Sequence, residues 1–199
     1  MIEDAVAAIK AGNPVVLPTD TVYGLCSSPY SEAYVRRLYR LKGREETKPT
    51  ALLAADLDWL FECVPELRGR AGVIARALLP GPYTLILPNP ARRFCWLTGT
   101  TPDKIGVRVP ELPEPAAAVL AQVGSVAATS ANLPGGPEPL RLGDVPEEIR
   151  RGAGALVDGG ELPGTPSTVL DFTGPQPRVV REGAAPAAEA LDRVSAALA

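Results

Sequence analysis

Short apolar runs alternate with stretches of helical period along most of this chain, and that alternation restricts the fold more than any other feature. PVVLPT, TALLAA, YTLILP, IGVRVP and SVAAT are six residues or fewer, too short for stable helices and bounded by Pro, Gly or polar residues, so they read as buried strands. Between them lie helix patterns. Ile2, Val6 and Ile9 recur at helical spacing before Gly12. Ser31 stands as N-cap candidate for a helix that turns Val35, Leu38 and Tyr39 inward. Asp56 can cap LDWLFECV, a second helix runs from about Glu66 to Leu79, and Pro113 opens one through Gln122. VPEEIRRG gives a short helix. The last third then places three strands in succession, ALVDGG, STVLDF and RVVREG, before an Ala-rich helix from Pro186. TDTVYGLCSSPYS, residues 89–104 and SANLPGGPEP read as loops. About seven or eight strands and six helices in this order predict an α/β chain, a mixed sheet with helices packed on it, forming one domain over residues 1–199.

The residue inventory excludes several chemistries. The 199 residues contain no histidine, so Ser-His-Asp and Cys-His catalysis and imidazole metal sites are ruled out. Cys26, Cys63 and Cys95 are far apart in sequence and form no CxxC, which fits neither a disulfide framework nor a zinc site and points to a reducing cytoplasm. No apolar stretch approaches the ~20 residues needed to span a bilayer. Neither GxxxxGK[ST] nor GxGxxG is present, so a bound nucleotide must be held by dispersed Arg, Lys, Ser and Thr groups.

Several segments could supply those groups. LYRLKGREETKPT concentrates Arg40, Lys42, Arg44 and Lys48 in a chain of formal net charge −3. Cations gathered against the overall sign mark either a local anion or a solvated helix end that favours the dipole. LPTDTVYGL sets Thr19, Asp20, Thr21 and Tyr23 just beyond a strand, where open sheets place ligands and where Thr and Asp also make turns. Arg108 lies mid-strand in GVRVP and must meet a protein carboxylate or a ligand anion. ATSANLPGGP brings Thr129, Ser130 and Asn132 together after a strand, a small polar turn suited to phosphate or hydrated Mg²⁺. Ser167 and Thr168 begin one closing strand and Arg181 ends the next.

Taken together and in this order, LPTDTVYGL, LKGR with KPTALLA, GVRVP, ATSAN with GG, PSTVLD and RVVREG resemble the YrdC-like family of threonylcarbamoyl-AMP synthases over essentially the whole chain. The KxR and SxN signatures of that family stand as Lys42-Gly43-Arg44 and Ser130-Ala131-Asn132. The resemblance implies an open, twisted α/β sheet in the short, single-domain form. It implies an enzyme that joins L-threonine, bicarbonate or CO₂ and ATP into L-threonylcarbamoyladenylate with release of pyrophosphate. That product serves N6-threonylcarbamoyladenosine modification of tRNA, through a downstream transferase complex. By match to the motifs, Thr21, Arg108, Ala128 and Ser167 would line the threonine pocket. Arg44, Lys48, Lys104, Ser130, Asn132 and Arg181 would face ATP. Lys42 and Arg44 would carry catalysis, with Mg²⁺ riding on the phosphates near Ser130 and Asn132. Leu53 stands where some members carry a histidine near the threonine. The alternatives are an RNA-binding module, with Arg36, Arg37, Arg40, Lys42, Arg44 and Lys48 tracking phosphates, and a paralogue that takes another acyl or carbamoyl substrate.

Overall fold

A single sheet organises the chain, and helices reach its two faces unequally. The structure, a computed structural model describing residues 1–199, begins with α1 (Ile2–Lys10), which turns Ala5, Val6 and Ile9 inward, followed by β1 (Val15–Pro18) and β2 (Tyr23–Ser27). α2 (Glu32–Lys42) ends where Gly43 adopts the left-handed conformation at φ 65°, closing the helix and reversing the chain. Next come β3 (Ala51–Ala54), α3 (Leu57–Cys63), α4 (Gly69–Leu78), β4 (Tyr83–Pro88), β5 (Lys104–Arg108), α5 (Glu114–Val123) and β6 (Ser125–Ser130). α6 (Glu147–Gly152), β7 (Ala155–Leu156), β8 (Thr168–Asp171), β9 (Arg178–Arg181) and α7 (Ala187–Leu198) complete it. The Asp56 side chain caps α3 by accepting from the Trp59 amide at 2.8 Å, while Ser31 occupies the cap position of α2 without a side-chain bond.

The nine strands run in the order β7-β1-β2-β6-β3-β5-β4-β8-β9. β1/β7, β3/β5 and β4/β8 are parallel and the other neighbours antiparallel, a mixed sheet as expected. Alternation along each strand divides the side chains between two faces. One face carries Leu52, Ala54, Leu85, Leu87, Val107 and Leu170 into the largest apolar cluster, where α3, α4 and α7 cover it. Toward the β7 end, α2 and α6 continue that cover over Val16, Tyr23 and Leu25. On the opposite face only α1 and α5 are present, packed on Val15, Leu17, Cys26, Leu53 and Val126. The part of that face formed by β5, β4, β8 and β9, with the ends of β3 and β6 at Ala51, Ala128 and Ser130, has no helix over it, and a cavity lies there.

Three expectations change. TDTVYGLCSSPYS is not one loop, because Tyr23–Ser27 forms an internal strand. It is buried on both faces, so it shows no polar alternation, and Gly24 lets it lie close against Thr19 and the Thr129 carbonyl. The strand expected over ALVDGG shrinks to the two residues of β7, which pairs with β1 at one edge, whereas β8 and β9 lie side by side at the opposite edge. The helix expected from Glu66 begins at Gly69. No helix is long and apolar enough to cross a membrane.

Candidate active site

The uncovered part of the sheet face forms the floor of a cavity of about 640 Å³. Period-two alternation supplies it from four strands: Thr84 and Ile86, Lys104 with Gly106 and Arg108, Ala128 and Ser130, Val169 and Asp171. Gly106 leaves the floor low between the two cations of β5. The walls come from the loop after α2, the loop after β6, and β9. Gly99, at φ 59°, approaches so closely that a Cβ there would lie 2.3 Å from the Thr47 carbonyl oxygen. The Thr50 amide also donates to the Leu97 carbonyl at 2.8 Å, so the 95–101 segment buttresses the loop that carries Arg44.

Of the eleven side chains singled out from the sequence, ten line this cavity: Thr21, Lys42, Arg44, Lys104, Arg108, Ala128, Ser130, Asn132, Ser167 and Arg181. Lys48 does not. Its ammonium lies 3.5 Å from Glu45 on the exposed side of the loop, while its backbone carbonyl accepts from Tyr39 at 2.9 Å. Leu53 is also off the lining. It is in register with Arg108 but sunk in the cluster beneath α5.

Lys42 is only 3% exposed. Its ammonium donates to the Ser130 carbonyl (2.5 Å), the Asn132 carbonyl (2.7 Å) and Asn132 Oδ1 (2.9 Å). An ammonium has three donors, so all are engaged. Ser130 Oγ donates to the same Asn132 Oδ1 at 2.6 Å, and Asn132 Nδ2 donates to the Gly136 carbonyl at 2.7 Å. The KxR lysine therefore fixes the SxN turn and projects its charge through space, rather than presenting free donors. Burial, with Arg44 adding to it, pulls the Lys42 ammonium down to about 8. The oxygens of Ser130 and Asn132 face this ammonium, so they do not fit the role of direct ligands to a metal cation. No three His, Cys, Asp or Glu side chains converge on one point.

Arg108 meets the carboxylate that its mid-strand position requires: its Nη2 lies 2.7 Å from Asp20 Oδ1. Both partners are largely buried, and Asp20 Oδ2 and Arg108 Nε have no protein partner. Burial raises the Asp20 carboxyl, and the adjacent guanidinium opposes the rise. Arg181 donates to the Ser167 carbonyl at 2.8 and 3.1 Å and to Ser167 Oγ at 3.2 Å, and that hydroxyl also bonds Thr84 Oγ at 2.8 Å. Arg44 donates to the Pro49 carbonyl at 2.7 Å and leaves its buried Nε without a partner.

The lining also contains Glu138, Asp171, Arg178, Thr98 and Thr101, which the sequence motifs do not name. Asp171 was within reach, because Ser167, Val169 and Asp171 alternate along one strand. Glu138 sits in the proline-glycine loop, where no periodicity operates. Its buried Oε2 has no hydrogen-bond partner, and its charge acts on both Lys42 and Arg181. In all, six cations line the cavity against Glu138 and Asp171, in a protein of net charge −3. The six cations named for a phosphate-tracking surface divide between cavity and exterior. Lys42 and Arg44 turn into the cavity, Arg36 is paired with Glu32 and Glu46, and Arg37 is held by Gly12 and Asn13.

Comparison with known proteins agrees with this geometry. The family model Sua5_yciO_yrdC, described as telomere recombination, matches residues 7–183. The threonylcarbamoyl-AMP synthase of Pyrococcus abyssi is 33% identical over 189 residues, covering 94% of this chain and 55% of that protein, so the chain spans about half the length of that relative. The threonylcarbamoyl-AMP synthase of Stenotrophomonas maltophilia is 36% identical over 163 residues, 79% of this chain and 86% of its own. Among solved structures, P. abyssi Sua5 complexed with L-threonine superposes with a TM-score of 0.87 at 33% identity, covering 97% of this chain and 56% of that one. E. coli YciO superposes at 0.79 with 28% identity, covering 92% and 88%. With the family model spanning nearly the whole sequence and the sheet superposing on these structures, the chain belongs to the Sua5/YciO/YrdC family.

Proposed function

We propose that this protein forms L-threonylcarbamoyladenylate from L-threonine, bicarbonate or CO₂ and ATP, releasing pyrophosphate. One observation carries the proposal: ten residues dispersed along the sequence, each matching a motif of the family, line one cavity dominated by cations. The names of the relatives and the threonine complex of P. abyssi Sua5 support the same substrate class.

The residues divide the work by position. Arg108, fixed by Asp20 through one nitrogen, keeps donors for the amino acid carboxylate. Thr21, Ala128 and Ser167 bound the space for a small side chain, and Ala128 leaves room where a larger residue would fill it. The neutral amine of threonine adds to CO₂: the N–C bond forms, a C=O electron pair moves onto oxygen, and the nitrogen gives one proton to solvent, leaving the carbamate anion. A carbamate oxygen then attacks the α-phosphorus, the O–P bond forms, the bond to the β-phosphate oxygen breaks, and pyrophosphate leaves. Lys42, Arg44, Lys104 and Arg181 stabilise charge that moves onto phosphate oxygens, in positions set before the substrate arrives. Mg²⁺ enters as MgATP, where it neutralises phosphate charge. No covalent intermediate on the protein is needed.

The product, a mixed anhydride, calls for a transferase acting on tRNA downstream, and three unpaired cysteines suit a cytoplasmic setting. The test is pyrophosphate release in the presence of ATP and bicarbonate across a panel of amino acids. Threonine-selective release is expected. Equal rates with serine, or without any amino acid, would move the activity to another carbamoyl or acyl substrate.

A further inference from the structure

The edge strand β9 is exposed along its whole length, and its ladder to β8 contains an irregularity. Val169 pairs with Arg181, Leu170 with Val179 and Asp171 with Arg178, so Val180 is left without a partner. In a regular strand, residues three apart point to opposite faces. The extra residue resets the alternation and brings Arg178 and Arg181 to the same face as Val169 and Asp171, which is the cavity face. The sequence names only one arginine for this wall, whereas the bulge delivers two.

The two arginines differ in their freedom. Arg181 is anchored on the Ser167 carbonyl. Arg178 is 73% exposed in its side chain and donates once, to Asp171 Oδ2 at 3.0 Å. Lys104 Nζ lies 3.5 Å from that same oxygen, and Asp171 Oδ1 is occupied by the Thr173 amide (2.9 Å) and hydroxyl (2.6 Å). One carboxylate thus holds two cations at the cavity mouth, and most of the five guanidinium donors remain open. Asp171 is itself buried but already has Lys104 and Thr173, and the guanidinium end of the pair stands in solvent, so stability is a weak reason for holding an arginine there.

We propose that Arg178 is a further polyphosphate-binding residue. Asp171 keeps it and Lys104 ready at the mouth, and the arriving MgATP or departing pyrophosphate takes over the guanidinium. The kinetic readout rests on the adenylate-forming function proposed above. In Arg178→Gln the KM for ATP and the inhibition constant for added pyrophosphate should both rise by roughly three- to tenfold, the scale of one partly exposed charge-assisted contact. The KM for threonine and the melting temperature should stay near those of the wild type, and Arg178→Lys should recover part of the loss. Unchanged ATP and pyrophosphate constants in Arg178→Gln would overturn the assignment, as would a threonine KM that rises in step with that for ATP. If the wild type shows no amino-acid-dependent pyrophosphate release, the proposed function fails by itself. Arg178 is then judged by calorimetric titration of both proteins with MgATP and inorganic pyrophosphate: weaker binding to the variant upholds it, and equal binding rejects it.

Discussion

The deep end and the mouth of the cavity use cations in opposite ways. At the deep end Lys42 is nearly inaccessible and gives its three donors to the Ser130–Asn132 turn. At the mouth Lys104 and Arg178 share one oxygen of Asp171, with side chains 33% and 73% exposed. The buried cation is a fixed field that also shapes the loop around it. It undergoes no reorganisation when charge develops nearby. The exposed cations have donors to offer but are screened by salt and water. One cavity thus contains a rigid electrostatic element and a capture element.

The largest effect should come from breaking the deep element. Lys42→Met removes the charge and leaves three oxygens without their donor. Turnover should fall on the order of 10²-fold or more, the range for losing a preorganised charge contact. A folded variant with near-native turnover would show that the turn needs no ammonium. Arg108→Ala comes next. It should raise the KM for threonine by about 10- to 100-fold, as expected for a lost hydrogen bond between charged groups, with a smaller change in that for ATP. An unchanged threonine KM would separate the Asp20–Arg108 pair from amino acid binding.

pH sharpens the contrast without mutation. Lys42 releases its proton near 8 in the folded protein, against an ordinary 10.5. Between those values the unfolded chain binds more protons than the folded one, so conformational stability rises with pH across that window. Over the same interval the cavity loses a positive charge, so the KM for ATP should rise. From pH 7 to pH 10 denaturant titrations should therefore show rising stability while ATP kinetics show falling affinity, and a flat ATP KM would remove Lys42 from the phosphate field. The smallest effect belongs to Lys48. With its ammonium on the far side of the loop beside Glu45, Lys48→Ala should change the KM for ATP by no more than about twofold, as for most exposed ion pairs. A tenfold rise would mean that this loop turns over the cavity when ATP binds.

The site was legible where chemistry coincides with periodicity. Arg108 flanked by two valines had to face away from the core, and Lys104, Gly106 and Arg108 follow from the same alternation. Asp171 obeys it too, two residues beyond Val169 on β8. Arg178 was not legible, because a bulge one residue long reverses the face on which it lands. Tyr23, grouped with Thr21 on sequence, turns into the core instead, where its hydroxyl meets Asp158 and Gly160. β2 is hidden in the sequence because a strand buried on both sides has no polar face to announce it.

By itself the sequence determined the class of fold, the absence of imidazole chemistry and the set of cationic and hydroxyl groups available for a phosphate ligand. Those depend on composition and on local spacing, which the chain carries along its length. Which cations are engaged and which are free, the placing of β7 and β9 at opposite edges, and the part of one sheet face that no helix covers all arise from long-range packing. Pairing order, register slips and burial are set by contacts between residues far apart in the chain, and no local pattern encodes them.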